Sequence, residues 1–220
     1  MIVPVGKWCS FDTTSSTARK YMTLPHAFHD HPGFTVVWFA TYALCMVPEI
    51  ILSRRLHSGE DAQKSDRGSK VIVIVAANLA VAIGFVMAIA FPRFSLGATW
   101  KTVFAAGIVV WLGGTIFRWY SIRTLGRFFT YDVAVSPGQH VVEDGPYRWL
   151  RHPAYLGSLL GEIGFGMTLT NSLAMLLPPI CLAAAYIYRI RIEEQSLLKG
   201  LGTPYREYME RTWCLIPFLF

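Results

Sequence analysis

Two polar stretches in an otherwise apolar chain hold the side chains best suited to chemistry. The first, residues 130–157, carries Asp132, Gln139, His140, Tyr147, Arg151, His152 and Tyr155 around two turn signals, Pro137-Gly138 and Gly145-Pro146. Pro153 suits the first turn of a helix, where a missing N–H costs nothing, and this places Arg151 and His152 at the positive end of a helix dipole. A donor-rich junction of that kind suits an anionic or hydrogen-bond-accepting ligand, and anchoring to lipid headgroups fits the same residues. The second stretch follows Tyr186. Helical spacing sets Tyr186, Arg189 and Glu193 on one face, with Glu194 beside them. Arg189 and Glu193 have the spacing of a helical ion pair. Two adjacent carboxylates flanked by arginines equally suit a ribose diol or a cation.

A third candidate is Glu162, an ionisable group inside an apolar segment. Such groups face the bundle interior or a polar cavity. Tyr155, Ser158 and Glu162 fall on one helical face, so Glu162 is expected to point toward the same space as Tyr155. A base for an amine or thiol acceptor and a neutral acid bonded to backbone or to Asn78 both fit this position. Elsewhere the signals are weak. His26, His29 and His31 cluster without further metal ligands at matching spacing, so no metal is expected. The four cysteines stand alone, and Cys45 and Cys181 read as packing residues. No Walker motif, serine elbow or HExxH is present, and Gly161, Gly164 and Gly166 follow no strand.

The elements that must position these residues are membrane helices. The chain of 220 residues is 53% apolar and only 15% charged, with a mean hydropathy of +0.39, against roughly 25% charged residues in an ordinary soluble domain. This excludes a disordered chain, a coiled coil and a disulfide-stapled module, and it argues against a water-soluble enzyme. A spanning helix needs about 20 mostly apolar residues. Residues 33–52, 71–91, 103–120, 155–170 and 172–188 qualify or nearly do, the last two joined as a tight hairpin. Gly157 and Gly161 form a GxxxG pair that permits close helix approach. No signal peptide is expected before the first span.

Of the 20 Lys and Arg residues, fifteen lie in segments 53–70, 118–153 and 189–220. The positive-inside rule therefore places the C-terminus and both long polar stretches in the cytoplasm. The net charge of +6 is explained by that bias and an anionic lipid surface, so no nucleic-acid partner is expected. The expected fold is an all-α integral membrane protein of about five transmembrane helices. A cytoplasmic cofactor pocket would form between the loop before the fourth helix and the C-terminal tail. Residues 1–32 would be an extramembrane segment, 33–120 the first three helices, and 121–220 the catalytic region. The membrane would be a bacterial inner membrane or one like the endoplasmic reticulum.

The order of several separated elements resembles a known family. Gln139-His140-Val141-Val142, Gly145-Pro146-Tyr147 and Arg151-His152-Pro153-x-Tyr155-x-Gly157 are followed by Arg189-x-x-x-Glu193-Glu194-x-x-Leu197, then Gly202-x-x-Tyr205-x-x-Tyr208 and Ile216-Pro217. This pattern is similar to the isoprenylcysteine carboxyl methyltransferases, within a wider group of integral-membrane methyltransferases that includes phospholipid N-methyltransferases. The resemblance covers roughly residues 118–220. It implies S-adenosylmethionine as cofactor, bound without a Rossmann domain, with S-adenosylhomocysteine as product. It implies a lipophilic or prenylated acceptor drawn from the membrane. Carried over by position, the cofactor contacts fall on Gln139, His140, Val141, Val142, Gly145, Tyr147, Arg151, His152, Pro153, Ala154, Tyr155, Glu193 and Glu194. Arg189 matches an arginine for the acceptor carboxylate, and Arg189, Glu162 and Tyr155 are the catalytic candidates. Asp132 stands where the prenylcysteine enzymes carry Gln. The alternatives are a phosphatidylethanolamine-type N-methyltransferase, with Glu162 as base, and a small transporter subunit with Glu49, Asn78 and Glu162 as a polar path.

Overall fold

The computed structural model describes residue 28 and residues 31–55, 63–64 and 66–217. His26 and His29 lie outside the described residues, and His31 stacks on Trp100. The long helices are α1 (Pro32–Arg55), α2 (Ser69–Ala90), α3 (Trp100–Leu125), α4 (Pro153–Thr168) and α5 (Ser172–Leu201), followed by a short α6 (Thr203–Arg211). Four segments, Pro32–Arg54, Ser69–Ala90, Gly97–Phe128 and Ser172–Leu201, are long and apolar enough to cross a membrane. With 16 residues, α4 rises about 24 Å, short of a hydrocarbon core of about 30 Å. It completes the bundle as one arm of the expected hairpin. The helices are those of a multi-pass membrane protein.

One boundary needs correction. The last long helix does not stop near residue 188 but continues to Leu201. Arg189, Glu193 and Glu194 therefore sit on the helix their spacing predicts, beyond the apolar run, where their polar side chains meet partners from other segments. The connection between α1 and α2 also carries a strand. Strands β1 (Gln63–Lys64) and β2 (Ala134–Val135) pair antiparallel, with Gln63 opposite Val135 and Lys64 opposite Ala134. This two-residue ladder ties the first polar connection to the loop before α4.

The helix starts follow from local chemistry. Asn171 caps α5, its side-chain oxygen accepting from the backbone N–H groups of Leu173 and Ala174 at 3.0 and 3.2 Å. Its amide donates to the Phe91 carbonyl at 3.0 Å, and Leu96 N–H donates to the Thr170 carbonyl at 3.0 Å. The hairpin tip thus satisfies the polar groups of the α2–α3 connection at the bundle end away from the polar loops. At the other end, Asp66 accepts from the Ser69 hydroxyl at 2.7 Å and from Lys70 N–H at 3.1 Å, closing the first turn of α2.

Packing is most extensive between α3 and α4 and between α2 and α5. Glycines set the α3–α4 separation. A Cβ built on Gly114 would lie 2.5 Å from the Gly161 nitrogen and 2.7 Å from the Gly157 oxygen, and one on Gly107 would lie 2.9 Å from the Gly164 oxygen. The backbones are in direct contact, the arrangement small residues allow where lipid supplies no hydrophobic drive. Around this seam Trp38, Phe104, Trp111, Phe165 and Leu169 form one buried cluster, with Trp38 Nε1 donating to Thr168 Oγ1 at 2.8 Å. Cys45 is buried in the same cluster, as expected for a packing residue.

Gly114→Leu should prevent α3 from meeting α4, lowering the apparent melting temperature in detergent by about 5 °C or more. Gly113→Leu, where nothing lies within 4 Å, should leave it unchanged. Thermal unfolding followed by size-exclusion chromatography compares the two.

Candidate functional site

The two polar stretches meet at one end of the bundle. Chain segment 149–152 runs parallel to the tail: Trp213 N–H donates to the Trp149 carbonyl at 2.9 Å, Arg151 N–H to the Trp213 carbonyl at 2.8 Å, and His152 N–H to the Cys214 carbonyl at 3.1 Å. The Tyr208 hydroxyl adds a contact from α6, donating to the Tyr147 and Leu150 carbonyls at 2.7 and 3.2 Å. Arg151 closes this seam. Its Nε donates to Glu194 Oε1 at 2.7 Å, and its Nη1 donates to the Met209 carbonyl at 3.0 Å and to the Thr212 carbonyl. His152 Nε2 lies 3.3 Å from the same Glu194 oxygen, and the Cys214 sulfur 3.8 Å from it. His152, Glu194 and Cys214 have metal-ligand chemistry and lie close together, but the Arg151 guanidinium already fills the place a cation would take on Glu194.

Above this seam the loop, α4, α5 and α6 enclose a cavity of about 840 Å³, counted to its open mouth. Of the residues expected from the sequence, Gln139, His140, Val141, Val142, Tyr147, Arg151, His152, Ala154, Tyr155 and Glu193 line it. Glu193, Ser196, Leu197 and Leu201 line it from one face of α5, at the i, i+3, i+4, i+8 spacing of a helical stripe. Residues 140–142 make no backbone hydrogen bond to any described residue, so their amides and carbonyls form an open edge along one wall. The turn before them is built by Pro137 and Gly138, whose φ of 70° suits the third position of a type II turn. Gln139 Oε1 accepts from Ser136 N–H at 2.8 Å and locks it.

Five expected site residues lie off the cavity wall. Gly145 turns with φ 55°, and a Cβ there would meet the Tyr120 hydroxyl at 2.8 Å, so it serves loop packing against α3. Pro153 is fully buried at the start of α4. Glu194 faces the tail, as described. Glu162 does not share the space of Tyr155: it is absent from the lining, its Oε1 is buried without a partner among the described residues, and Asn78 instead bonds the Ile74 carbonyl of its own helix.

Arg189 is the fifth. It is buried and pairs with neither Glu193 directly nor the cavity. Its Nε donates to the Tyr155 hydroxyl at 2.8 Å, its Nη1 to Asp66 Oδ1 at 3.2 Å and Ser69 Oγ at 3.0 Å, and its Nη2 to the Tyr131 carbonyl at 2.7 Å. The Tyr155 hydroxyl in turn donates to Glu193 Oε2 at 2.6 Å. Tyr155 is held flat between His152 and Tyr186, with ring centroids 5.6 and 4.6 Å away. Glu193 therefore reaches Arg189 only through a phenol.

Asp66, Ser69 and Lys70 were not expected at a site. Lys70 Nζ pairs with Asp132 Oδ1 at 3.0 Å, and Asp132 lines the cavity. The sequence does contain the signal of a helix start, Asp66 followed by Ser69 before an apolar run, but nothing local names its partners. Glu49, named above for a polar path, has partners of its own. It pairs with Arg118 of α3 and accepts from the Tyr131 hydroxyl at 2.7 Å. Burial and then neighbouring carboxylates push the phenols of Tyr147 and Tyr205 above their ordinary range, so both are neutral donors at the wall. Burial opposes the charge of Arg151, but the hydrogen bond and charge of Glu194 outweigh it and keep the guanidinium ionised.

Residues 106–199 match the sequence model of the isoprenylcysteine carboxyl methyltransferase family. Among named proteins, the chain is 31% identical over 115 residues to protein-S-isoprenylcysteine O-methyltransferase A of Arabidopsis thaliana, covering 51% of this chain and 58% of that protein. It is 31% identical over 128 residues to the Saccharomyces cerevisiae protein-S-isoprenylcysteine O-methyltransferase, covering 57% and 54%. A probable protein-S-isoprenylcysteine O-methyltransferase of Oryza sativa subsp. japonica is 27% identical over 173 residues, covering 78% and 89%. The chain thus spans just over half the length of the Arabidopsis and yeast relatives. A solved structure of a eukaryotic intramembrane Ras methyltransferase, an isoprenylcysteine carboxyl methyltransferase, superposes with a TM-score of 0.54 at 26% identity, covering 83% of this chain and 61% of that one. The resemblance read from the spaced motifs is borne out.

Arg151→Met should release the tail, because it strips Glu194 of its cation and two carbonyls of their donor. Limited trypsinolysis should then show new cleavage after Lys199 and Arg206. Burial, with Glu194 beside it, raises the Cys214 thiol to about 11. At pH 8 only about one molecule in a thousand carries the thiolate. Alkylation of the Cys214 peptide by iodoacetamide at pH 8 should therefore be far slower than that of free glutathione under the same conditions, read by mass spectrometry.

Proposed function

We propose that this chain, similar over its C-terminal half to the isoprenylcysteine carboxyl methyltransferases, is itself an integral-membrane methyltransferase. It would transfer a methyl group from S-adenosylmethionine to the carboxylate of a lipid-like acceptor of the prenylcysteine type. The observation that carries this reading is the convergence of motif elements on one cavity: Gln139–Val142 from the loop, His152 and Tyr155 from the start of α4, Glu193 from α5 and Tyr205 from α6. In this reading residues 121–220 supply the catalytic region and residues 33–120 the supporting helices. The Lys and Arg bias puts the cavity on the cytoplasmic side.

The residues present fit the cofactor. Glu193 is the more open of the two adjacent carboxylates, 28% exposed against 16% for Glu194, and it gives the wall a negative group suited to a sulfonium or an ammonium. The open backbone edge at residues 140–142 offers donors and acceptors to a base or a carboxylate, and Phe128, Phe129 and His140 offer flat ring surfaces. S-adenosylmethionine supplies an electrophilic methyl carbon, whose bond to sulfur breaks as the acceptor oxygen's bond to it forms, leaving S-adenosylhomocysteine and requiring no proton transfer from a carboxylate acceptor.

The work left to the protein is positioning, which can contribute on the order of 7–11 kcal/mol. Tyr155, clamped between two rings and hydrogen-bonded at both sides of its oxygen, holds Glu193 in one orientation. Arg189 acts on the site through Tyr155. Tyr205 and Tyr208 line the cavity from α6. A water-poor wall favours a reaction that cancels opposite charges. An amine acceptor would need a base, and Glu162 lies off the cavity wall, so the geometry favours a carboxylate. A transporter path is not supported either: Glu49 is paired with Arg118, and Asn78 bonds its own helix.

Membranes containing the protein, supplied with radiolabelled S-adenosylmethionine and a farnesylcysteine acceptor, should yield a base-labile methyl ester. Glu193→Ala should reduce the rate at least about tenfold, the loss of one charged contact. A base-stable N-methyl product in place of the ester would overturn the assignment.

A further inference from the structure

Arg189 has two anionic neighbours placed on different sides. Asp66 contacts its Nη1 at 3.2 Å, while Glu193 is reached only through the Tyr155 hydroxyl. Glu193 lines the cavity and Asp66 does not. Asp66 is itself fixed, accepting from the Ser69 hydroxyl and from Lys70 N–H at the first turn of α2. The same turn sends Lys70 to Asp132, and the preceding strand β1 pairs with β2 beside it. The α1–α2 connection thus grips the loop at its backbone and at Asp132, and α5 at Arg189.

A buried guanidinium draws whichever carboxylate is within reach, and in a region of low dielectric that pull is strong. With Asp66 in place, the charge of Arg189 is shared between Asp66, in direct contact on the side away from the cavity, and Glu193 across the Tyr155 hydroxyl. Without Asp66, Arg189 keeps only Glu193, which already acts on it across Tyr155, and more of that carboxylate's charge would be taken up by Arg189 than offered to the cavity.

We propose that Asp66 is a positioning residue for the methyl donor: by neutralising Arg189 from behind, it leaves the Glu193 carboxylate available to a cationic ligand in the cavity. This rests on the reading of the cavity as a sulfonium cofactor site. It places a determinant of donor binding in the α1–α2 connection, outside the segment that carries the methyltransferase motifs.

The test compares two ligands of nearly one shape and different charge, S-adenosylmethionine and the thioether S-adenosylhomocysteine, by calorimetry on the detergent-solubilised full chain. Asp66→Asn should weaken S-adenosylmethionine by about tenfold and S-adenosylhomocysteine by less than about twofold, so the affinity ratio shifts. Ser69→Ala, which removes a hydrogen bond to each of Asp66 and Arg189 without a change of charge, should leave the ratio unchanged. Asp66→Asn combined with Arg189→Gln buries no unpaired cation and should return the ratio to within about threefold of the unsubstituted protein. That double variant also serves if Asp66→Asn alone does not fold. An unchanged ratio in Asp66→Asn, or equal weakening of both ligands, would show that Asp66 only caps α2. A double variant that keeps a shifted ratio would equally overturn the proposal. Failure of the unsubstituted protein to bind either ligand would instead remove the cofactor reading beneath it.

Discussion

A guanidinium buried at the edge of a bilayer has to be met by acceptors, since neither lipid nor a closed protein interior can hydrate it. Three arginines impose that demand here, and each is met by residues far away in sequence. Arg118 of α3 takes Glu49 of α1, Arg151 takes Glu194 of α5 and two tail carbonyls, and Arg189 of α5 takes Asp66, Ser69, Tyr131 and Tyr155. These contacts join the polar connections into one body at a single end of the bundle. The exposed pair Arg211–Glu143 has no comparable role, because solvent screens it.

The adjacent carboxylates Glu193 and Glu194 show how a helix divides labour. Successive residues project about 100° apart, so one faces the cavity and the other the tail. Glu194 is consumed by Arg151, His152 and the contact with Cys214. Glu193 keeps one oxygen on the Tyr155 hydroxyl and faces the cavity. The continuation of α5 to Leu201 makes this separation rigid. A flexible tail at the same position would let both carboxylates converge on Arg151.

Close approach of α3 and α4 has a related consequence. Backbone contact at Gly107, Gly114, Gly157 and Gly164 leaves no room for side chains along the seam, which brings Arg118 beside the start of α4. There Arg118 Nη1 donates to the Ala154 carbonyl at 3.3 Å. The first turn of α4, with His152 and Tyr155, is thereby referenced to α3 as well as to α5. Positioning to a few tenths of an ångström is what a displacement reaction asks of its scaffold.

Much of this was legible in the residues alone. Long apolar runs separated by basic connections require membrane helices, because backbone polar groups in lipid must be satisfied within the segment. The order of Gln139-His140-Val141-Val142, Arg151-His152-Pro153 and Arg189-x-x-x-Glu193-Glu194 identified the segments that enclose the cavity, and the helical period placed Glu193 on a common face with Tyr186 and Arg189. The tertiary structure alone decided the partners. Asp66 and Arg189 are 123 residues apart and Arg151 and Glu194 are 43 apart, and no periodicity or propensity acts over such distances. Which carboxylate neutralises which arginine depends on how α2 and α5 are set against each other, and Glu162 lost its expected place beside Tyr155 for the same reason. Periodicity assigns a residue to a face of its own helix, but what that face meets is settled only when the helices pack.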